Sequence, residues 1–259
     1  MKQHDKPFPR GILFDMDGVL LVTSQSPAQS WQEACQQFAP LLDISVETLV
    51  QALQESRNTY KHEIEQDAEK QRRDRLQPFE TRLETVENAL KALNRANKQI
   101  ATEMVRAYET FSDAHRHLAP HALDVLQILR ERSFALALLS NGNATYQRRK
   151  IAHYGLAPFF DVILIEEEFG VEKPNARIFL HALDRLHVTA QQAWMIGDDL
   201  ARDIAGAQQV GIFAVWCDFD KKGLPDNNAV RPDWIIHDLS EVSEILYPQV
   251  TKSVMFSRD

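Results

Sequence analysis

The chain has 259 residues, 44% hydrophobic and 25% charged, enough to build a sizeable core in one domain or two modest ones. Its 29 basic residues against 37 acidic ones give a formal charge of -8, which argues against holding a polyanionic backbone by bulk electrostatics and sets aside a nucleic-acid polymer as partner. A small phosphorylated metabolite stays open, because local lysine and metal charge can override the global sign at a pocket. The first ten residues are polar and include Pro7 and Pro9, and no apolar run reaches 18 residues, so neither a signal peptide nor a membrane span is expected. Cys35 and Cys217 are far apart and in no metal-binding spacing; they read as free thiols in a reducing compartment, and the expected location is the cytoplasm.

In chain order, the first element is a short apolar run, Ile12–Phe14, cut off by Asp15-Met16-Asp17-Gly18. A run that short, stopped by acids and glycine, suits a buried strand whose C-terminal end opens into a loop. The segment from about Pro27 to His117 contains no convincing strand. A helix is expected over about Val46–Arg75, and Pro78 separates it from a second. In that second helix, Leu83, Val86, Leu90, Leu93, Ile100, Met104, Tyr108 and Phe111 keep steps of three, four or seven. The interleaved charges of Lys61–Arg75 read as a solvated helix face with local ion pairs. Pro120 marks the return to the sheet.

From there strands alternate with helices. Phe134–Leu139 ends at Ser140-Asn141-Gly142, Val162–Ile165 ends in acids, Trp194–Ile196 ends at Gly197-Asp198-Asp199, and Ile212–Trp216 ends at Cys217-Asp218. Trp234–Ile236 is a sixth candidate. Between them, Leu123, Leu126, Ile128 and Leu129 form one helical stripe and Ile178, Phe179, Leu183 and Leu186 another. Buried strands alternating with helices of about a dozen residues predict a parallel sheet covered on both faces. The polar residues gather at the strand ends, where open α/β sheets bind ligands.

Asp15 and Asp17 beside Gly18 would, taken alone, also suit a polar turn. A second acidic cluster at Asp198, Asp199 and Asp203 weakens that reading, since two strand ends lying side by side would crowd carboxylates that only a cation or a proton can reconcile. Hard oxygen ligands of this kind suit magnesium better than zinc. Ser140 and Asn141, at a third strand end, offer a hydroxyl and backbone N–H groups for phosphate oxygens, and Lys173 offers an ammonium that could neutralise a phosphoryl group and the nucleophile together, although Lys173 in isolation also reads as a surface lysine. His115, His117 and His121 are close in sequence, but positions 115 and 117 do not face the same way on a helix, and no metal site is assigned to them. Trp31, Trp194, Trp216 and Trp234 read as packing residues, with Trp31 the one to watch for substrate contact.

Asp15-Met-Asp17-Gly-Val-Leu20, Ser140-Asn-Gly, Lys173-Pro-Asn-Ala-Arg-Ile-Phe179 and Gly197-Asp-Asp-Leu-Ala-Arg-Asp203 together resemble, in order and setting, the four motifs of the haloacid dehalogenase-like hydrolase superfamily. The resemblance spans about Gly11–Leu246 apart from the helical insert. It implies a Rossmann-like parallel sheet core with helices on both faces, residues 1–22 and 118–259, and an inserted all-helical cap, residues 23–117. It further implies Asp15 as nucleophile and Asp17 as acid and then base. Ser140, Asn141 and Lys173 would bind the phosphoryl group. Asp15, the Asp17 backbone carbonyl and Asp198 would hold Mg2+, and Asp199 or Asp203 would complete the outer shell, with Asp203 orienting either metal-bound water or Lys173. The family's true dehalogenases lack an acid at the Asp17 position, because halide leaves without a proton. The expected activity is therefore a magnesium-dependent phosphatase, hydrolysing a phosphomonoester of the nucleotide, flavin mononucleotide or sugar phosphate class through an aspartyl-phosphate. The alternatives are a phosphomutase or phosphonate-cleaving enzyme on the same scaffold, or a catalytically weak binding protein.

Overall fold

The computed structural model describes residues 8–65, 67–226 and 229–247. The polar N-terminus read above as lacking a signal peptide lies largely outside them, with Met1–Pro7. In chain order, β1 (Gly11–Phe14) and β2 (Leu21–Thr23) precede five helices, α1 (Pro27–Phe38), α2 (Val46–Ile64), α3 (Ala68–Leu76), α4 (Pro78–Ala92) and α5 (Lys98–Ala114). There follow β3 (Arg116–Leu118), α6 (Ala122–Glu131), β4 (Ala135–Ser140), α7 (Ala144–His153), β5 (Val162–Ile165), α8 (Glu166–Phe169), α9 (Ala176–Leu186) and β6 (Ala193–Gly197). A π-helical turn over Leu200–Ala205 leads into α10 (Gly206–Gln209), then β7 (Phe213–Cys217), β8 (Trp234–Ile236) and α11 (Ser240–Leu246). The chain divides into two compact units, Met1–Val22 with Leu118–Asp259, and Thr23–His117.

The first unit is built on a six-stranded sheet in the order β5-β4-β1-β6-β7-β8, parallel throughout. Strand alternation sends Ile12 and Phe14 to one face and Leu13 to the other, and each face buries its own apolar layer. On the first face the layer includes Val125, Leu126 and Leu129 of α6, Ile151 of α7 and Val242 of α11. On the second it includes Ile178, Phe179, Ala182 and Leu183 of α9, with Ile204 and Ala207. The expected α6 stripe is rotated: Ala122, Val125, Leu126 and Leu129 are buried and Leu123 is exposed. Because β1 pairs with both β4 and β6, the ends of three adjacent strands meet where the strand order reverses, and that reversal opens a crevice at the sheet's carboxyl edge.

The second unit is a helical cluster around Trp31, Phe38, Leu49, Leu53, Val86, Leu90, Met104 and Tyr108. Ser26 opens α1 with a reciprocal capping box to Gln29. Two sequence expectations need correction here. The Leu83–Phe111 stripe belongs to two helices, broken at Leu93–Asn97, where Asn94 takes φ 56° and Asn97 accepts the Ile100 N–H to start α5. A seven-residue step from Leu93 to Ile100 crosses that break without a change of phase. The single helix over Val46–Arg75 is likewise two, since Asp67 accepts the N–H groups of Glu69 and Lys70 and starts α3 afresh. The sequence also missed β2 and β3, three residues each, which pair as a small sheet.

Candidate active site

All eight predicted site residues lie in the first unit, at or just beyond the carboxyl ends of β1, β4 and β6 or on the loop before α9. Asp15 follows β1 directly, and its backbone N–H donates to the Ile196 carbonyl of β6 at 2.9 Å. Lys173 is buried and places its Nζ 2.7 Å from Asp15 Oδ1 and 2.7 Å from Asp203 Oδ1. The loop carrying Lys173 is fixed by Asn141, whose side chain accepts the Lys173 N–H at 2.8 Å and donates to its carbonyl at 2.9 Å. That commits both polar ends of the Asn141 side chain to the backbone of Lys173.

Asp15, Asp198 and Asp203 bring carboxylate oxygens within 4.8 Å of one another. Burial pushes the Asp15 carboxyl well above the usual carboxylate range; Lys173 pulls it back, while Asp203 and Asp198 add to the rise. Asp198 reaches solvent, yet it is pushed up to about 6, by partial burial first and then by the Asp203 charge. Burial opposes the charge on Lys173, but Asp15 and Asp203 on either side hold its ammonium above the ordinary lysine range. One buried cation thus serves at least two carboxylates, and the set remains short of positive charge.

Two glycines make this crowding possible. Gly18 has φ +86°, and a Cβ there would sit 2.2 Å from Asp198 Oδ2. A Cβ on Gly197 would sit 2.3 Å from the Asp203 Cβ. The two carboxylates after β6 have different employment. Asp199 caps the π-helical turn by accepting the N–H groups of Ala201 and Arg202 at 2.9 Å, whereas Asp203 is fully buried against Lys173 and accepts the Asp199 N–H at 3.1 Å.

Ser140, at the end of β4, is 1% exposed and accepts from Gln147 Nε2 at 2.7 Å. The same amide nitrogen lies 2.7 Å from the Asn141 carbonyl and 3.1 Å from Asp17 Oδ2. Lys150 completes the arrangement, with Nζ 2.7 Å from Asp17 Oδ1 and in contact with Oδ2 as well. Sequence reasoning missed Gln147 and Lys150. Their signal was a polar pair three residues apart on one face of α7, directed at a strand end where an apolar stripe would be ordinary. It also treated Trp216 as packing alone; its indole N–H donates to the Asp198 carbonyl at 2.8 Å and so anchors the second acidic loop. Buried Glu166 accepts the Gly142 N–H at 2.9 Å and fixes the loop after Ser140. His115, His117 and His121 join no group of three or more metal-ligating side chains among the described residues. Cys35 and Cys217 are both free and buried, and among the described residues no helix is long and apolar enough to cross a membrane.

Comparison with known proteins identifies the family. The haloacid dehalogenase-like hydrolase family model matches residues 9–211. Over 169 residues, 64% of this chain and 64% of the relative, the chain is 38% identical to a phosphoserine phosphatase of Thermus thermophilus. Over 117 residues, 45% of this chain and 49% of the relative, it is 38% identical to a glyceraldehyde 3-phosphate phosphatase of Pyrococcus abyssi. The chain therefore spans less than two thirds of the length of these curated relatives. A 2-haloacid dehalogenase structure from Pseudomonas syringae pv. Tomato superposes with TM-score 0.63 at 27% identity, covering 93% of this chain and 99% of that one.

Proposed function

The chain belongs to the haloacid dehalogenase-like hydrolases, and on that premise we propose that it is a magnesium-dependent phosphomonoesterase for a small phosphorylated metabolite, of the nucleotide, flavin mononucleotide or sugar phosphate class. The observation that carries the proposal is the buried Lys173 ammonium, 2.7 Å from Asp15 at the crevice. It pins one oxygen of a nucleophilic carboxylate and offers positive charge to a phosphoryl group beside it. The relatives named above act on phosphoserine and glyceraldehyde 3-phosphate, which supports a small phosphorylated substrate. The acid at Asp17 favours a leaving oxygen over the halide that a dehalogenase expels.

In the proposed reaction the free oxygen of Asp15 attacks phosphorus and the bond to the leaving oxygen breaks. Asp17 delivers a proton to that oxygen. Water then attacks the phosphorus of the aspartyl-phosphate, Asp17 takes its proton, and phosphate leaves with Asp15 restored. Ser140, the backbone of Asn141 and Lys173 hold the phosphoryl oxygens. The carboxylates of Asp15 and Asp198 with the Asp17 backbone carbonyl fit magnesium: they are hard oxygen donors, and burial first, then the charge of neighbouring carboxylates such as Asp203, raises both carboxyls, a strain that a bound cation would relieve. When bound there, magnesium supplies further charge neutralisation for the phosphoryl group. Asp203 is read as the support of Lys173 and Asp199 as the support of its loop, and residues 23–117 as the substrate-selecting cap.

A nitrophenyl phosphate assay with and without magnesium tests the proposal. Activity is expected to vanish on exhaustive chelation and in Asp15→Asn. Near-normal turnover by a folded, undeamidated Asp15→Asn chain would overturn it.

A further inference from the structure

The helical unit contains a cavity of about 280 Å³ of its own. Its wall includes Trp31 and Tyr108, stacked with ring centroids 4.2 Å apart at 15°. Each ring carries a guanidinium over its face, Arg57 at 5.9 Å from the Trp31 centroid and Arg82 at 5.1 Å from that of Tyr108. Lys61 lines the same space, so three cations converge on it in a chain whose formal charge is -8.

The accounting of these charges is uneven. Arg82 is neutralised by Glu109 at 2.9 Å. Arg57 and Lys61 have no carboxylate within ion-pairing distance among the described residues, although nearby cations do: Lys70 pairs with Glu63 and Arg73 with Glu84. Arg57 and Lys61 stand four apart on α2, which puts like charges on one helix face, an arrangement that costs stability unless an anion sits between them. Asp74 is the one carboxylate lining the cavity, and it already accepts from the Tyr60 hydroxyl. The cavity therefore sets a single carboxylate, already engaged by Tyr60, against its three cations. Trp31, Ile64 and Pro78 add apolar surface for an attached carbon body, and the volume is near the lower end of small-ligand pockets.

We propose that this cavity is an oxyanion-binding site, in which Arg57 and Lys61 grip a phosphate or carboxylate group of a small organic anion and the Trp31–Tyr108 wall packs its carbon body. The site is distinct in residues from the carboxylate cluster of the sheet unit, and the proposal does not depend on the phosphatase reading. Arg57 is half-buried and Lys61 exposed, and a charge-assisted contact from each is worth about tenfold in affinity.

The test follows the indole N–H resonance of Trp31 in the 15N-labelled full chain, assigned by its loss in Trp31→Phe. The chain is titrated separately with inorganic phosphate and with succinate at ionic strength held constant with sodium chloride. The expected result is a saturable shift with at least one of the two, its midpoint concentration rising about tenfold or more in Lys61→Ala and in Arg57→Ala. Response to phosphate alone assigns a phosphate group, to succinate alone a carboxylate, and to both a general oxyanion site. Lys61→Ala leaves the guanidinium over Trp31 in place, so a poorly folded Arg57→Ala does not decide the matter. Absence of a saturable shift with either anion, the same shift with sodium chloride alone, or an unchanged midpoint in Lys61→Ala would each overturn the proposal. Nitrophenyl phosphate turnover by the same samples reports on the other reading separately, because a chain without phosphatase activity would still show the Trp31 shift.

Discussion

Replacing Lys173 with Met tests the electrostatic core of the candidate site. The methionine fills nearly the same buried volume, but it leaves Asp15 and Asp203, each 2.7 Å from the lost ammonium, facing one another with their side chains 12% and 1% exposed. Stranding buried charge by removing its partner costs about 3–5 kcal/mol. Against a total stability of about 5–15 kcal/mol the sheet unit stays folded, and at about 2–4 °C per kcal/mol its midpoint falls by about 6–20 °C. The companion variant Lys173→Met/Asp203→Asn removes one of the two stranded carboxylates. It is expected to recover part of the loss, so the two substitutions are strongly non-additive. Thermal unfolding in excess chelator, read by tryptophan fluorescence in a Trp31→Phe background, follows the sheet unit through Trp194, Trp216 and Trp234. Wild-type stability in Lys173→Met, or simple additivity with Asp203→Asn, would refute the reasoning that one ammonium balances both carboxylates.

Four further outcomes are expected. Asp198 is pushed up to about 6, so protons compete with magnesium below that pH. The magnesium concentration for half-maximal activity rises about tenfold per pH unit below 6 and levels off above it, while the chelated protein gains stability as pH falls from 7 toward 4, because the folded carboxyl takes up its proton before the unfolded one does; flat profiles across that range would contradict this. Gly18→Ala drives a Cβ into Asp198 Oδ2 at φ +86°, and is expected to cost about 1–3 kcal/mol and to weaken magnesium binding in calorimetric titration, with unchanged affinity the opposing result. Gln147→Leu and Lys150→Met, which release the Asp17 carboxylate, lower turnover of an alkyl phosphate more than that of nitrophenyl phosphate, with Lys150→Arg restoring much of the difference; equal slowing of both substrates would mean a structural role only. Asp17→Asn lowers alkyl phosphate turnover about 10²–10⁴-fold and lets phosphoenzyme accumulate from nitrophenyl phosphate in rapid-quench experiments, which equal slowing of formation and breakdown would disprove.

The sheet was legible because each of its strands is a short apolar run with an abrupt polar end. Ile12–Phe14 and Leu136–Leu139 show this directly, since residues buried on both faces leave no alternation to interpret. The helical unit was legible as helical but not as five helices. Asp67 and Asn97 are ordinary polar residues within charged or polar stretches, and their capping role depends on a chain direction that periodicity does not record. β2 and β3 are too short for any period to be visible, and their pairing joins positions nearly a hundred residues apart.

For the site, the acids and the hydroxyl stood out because polar groups at buried strand ends need a reason, whereas Lys173, on the loop before α9, stood out only as part of the four-motif resemblance. The residues that supply the reason did not stand out. Asn141 looks like a phosphate ligand by its position, yet its amide spends both groups on the backbone of Lys173, 32 residues away. Trp216 looks like core, yet it holds the carbonyl of Asp198. Gln147 and Lys150 look like helix surface, yet they reach back 130 and 133 residues to Asp17. Each such tie is an answer to a problem visible only after folding: carboxylates brought together at the ends of adjacent strands repel, and two neutral amides, an indole and two ammonium groups hold them and their loops in register. The motif residues state the electrostatic demand of the chemistry, and these supporting residues, chosen by geometry rather than spacing, meet it.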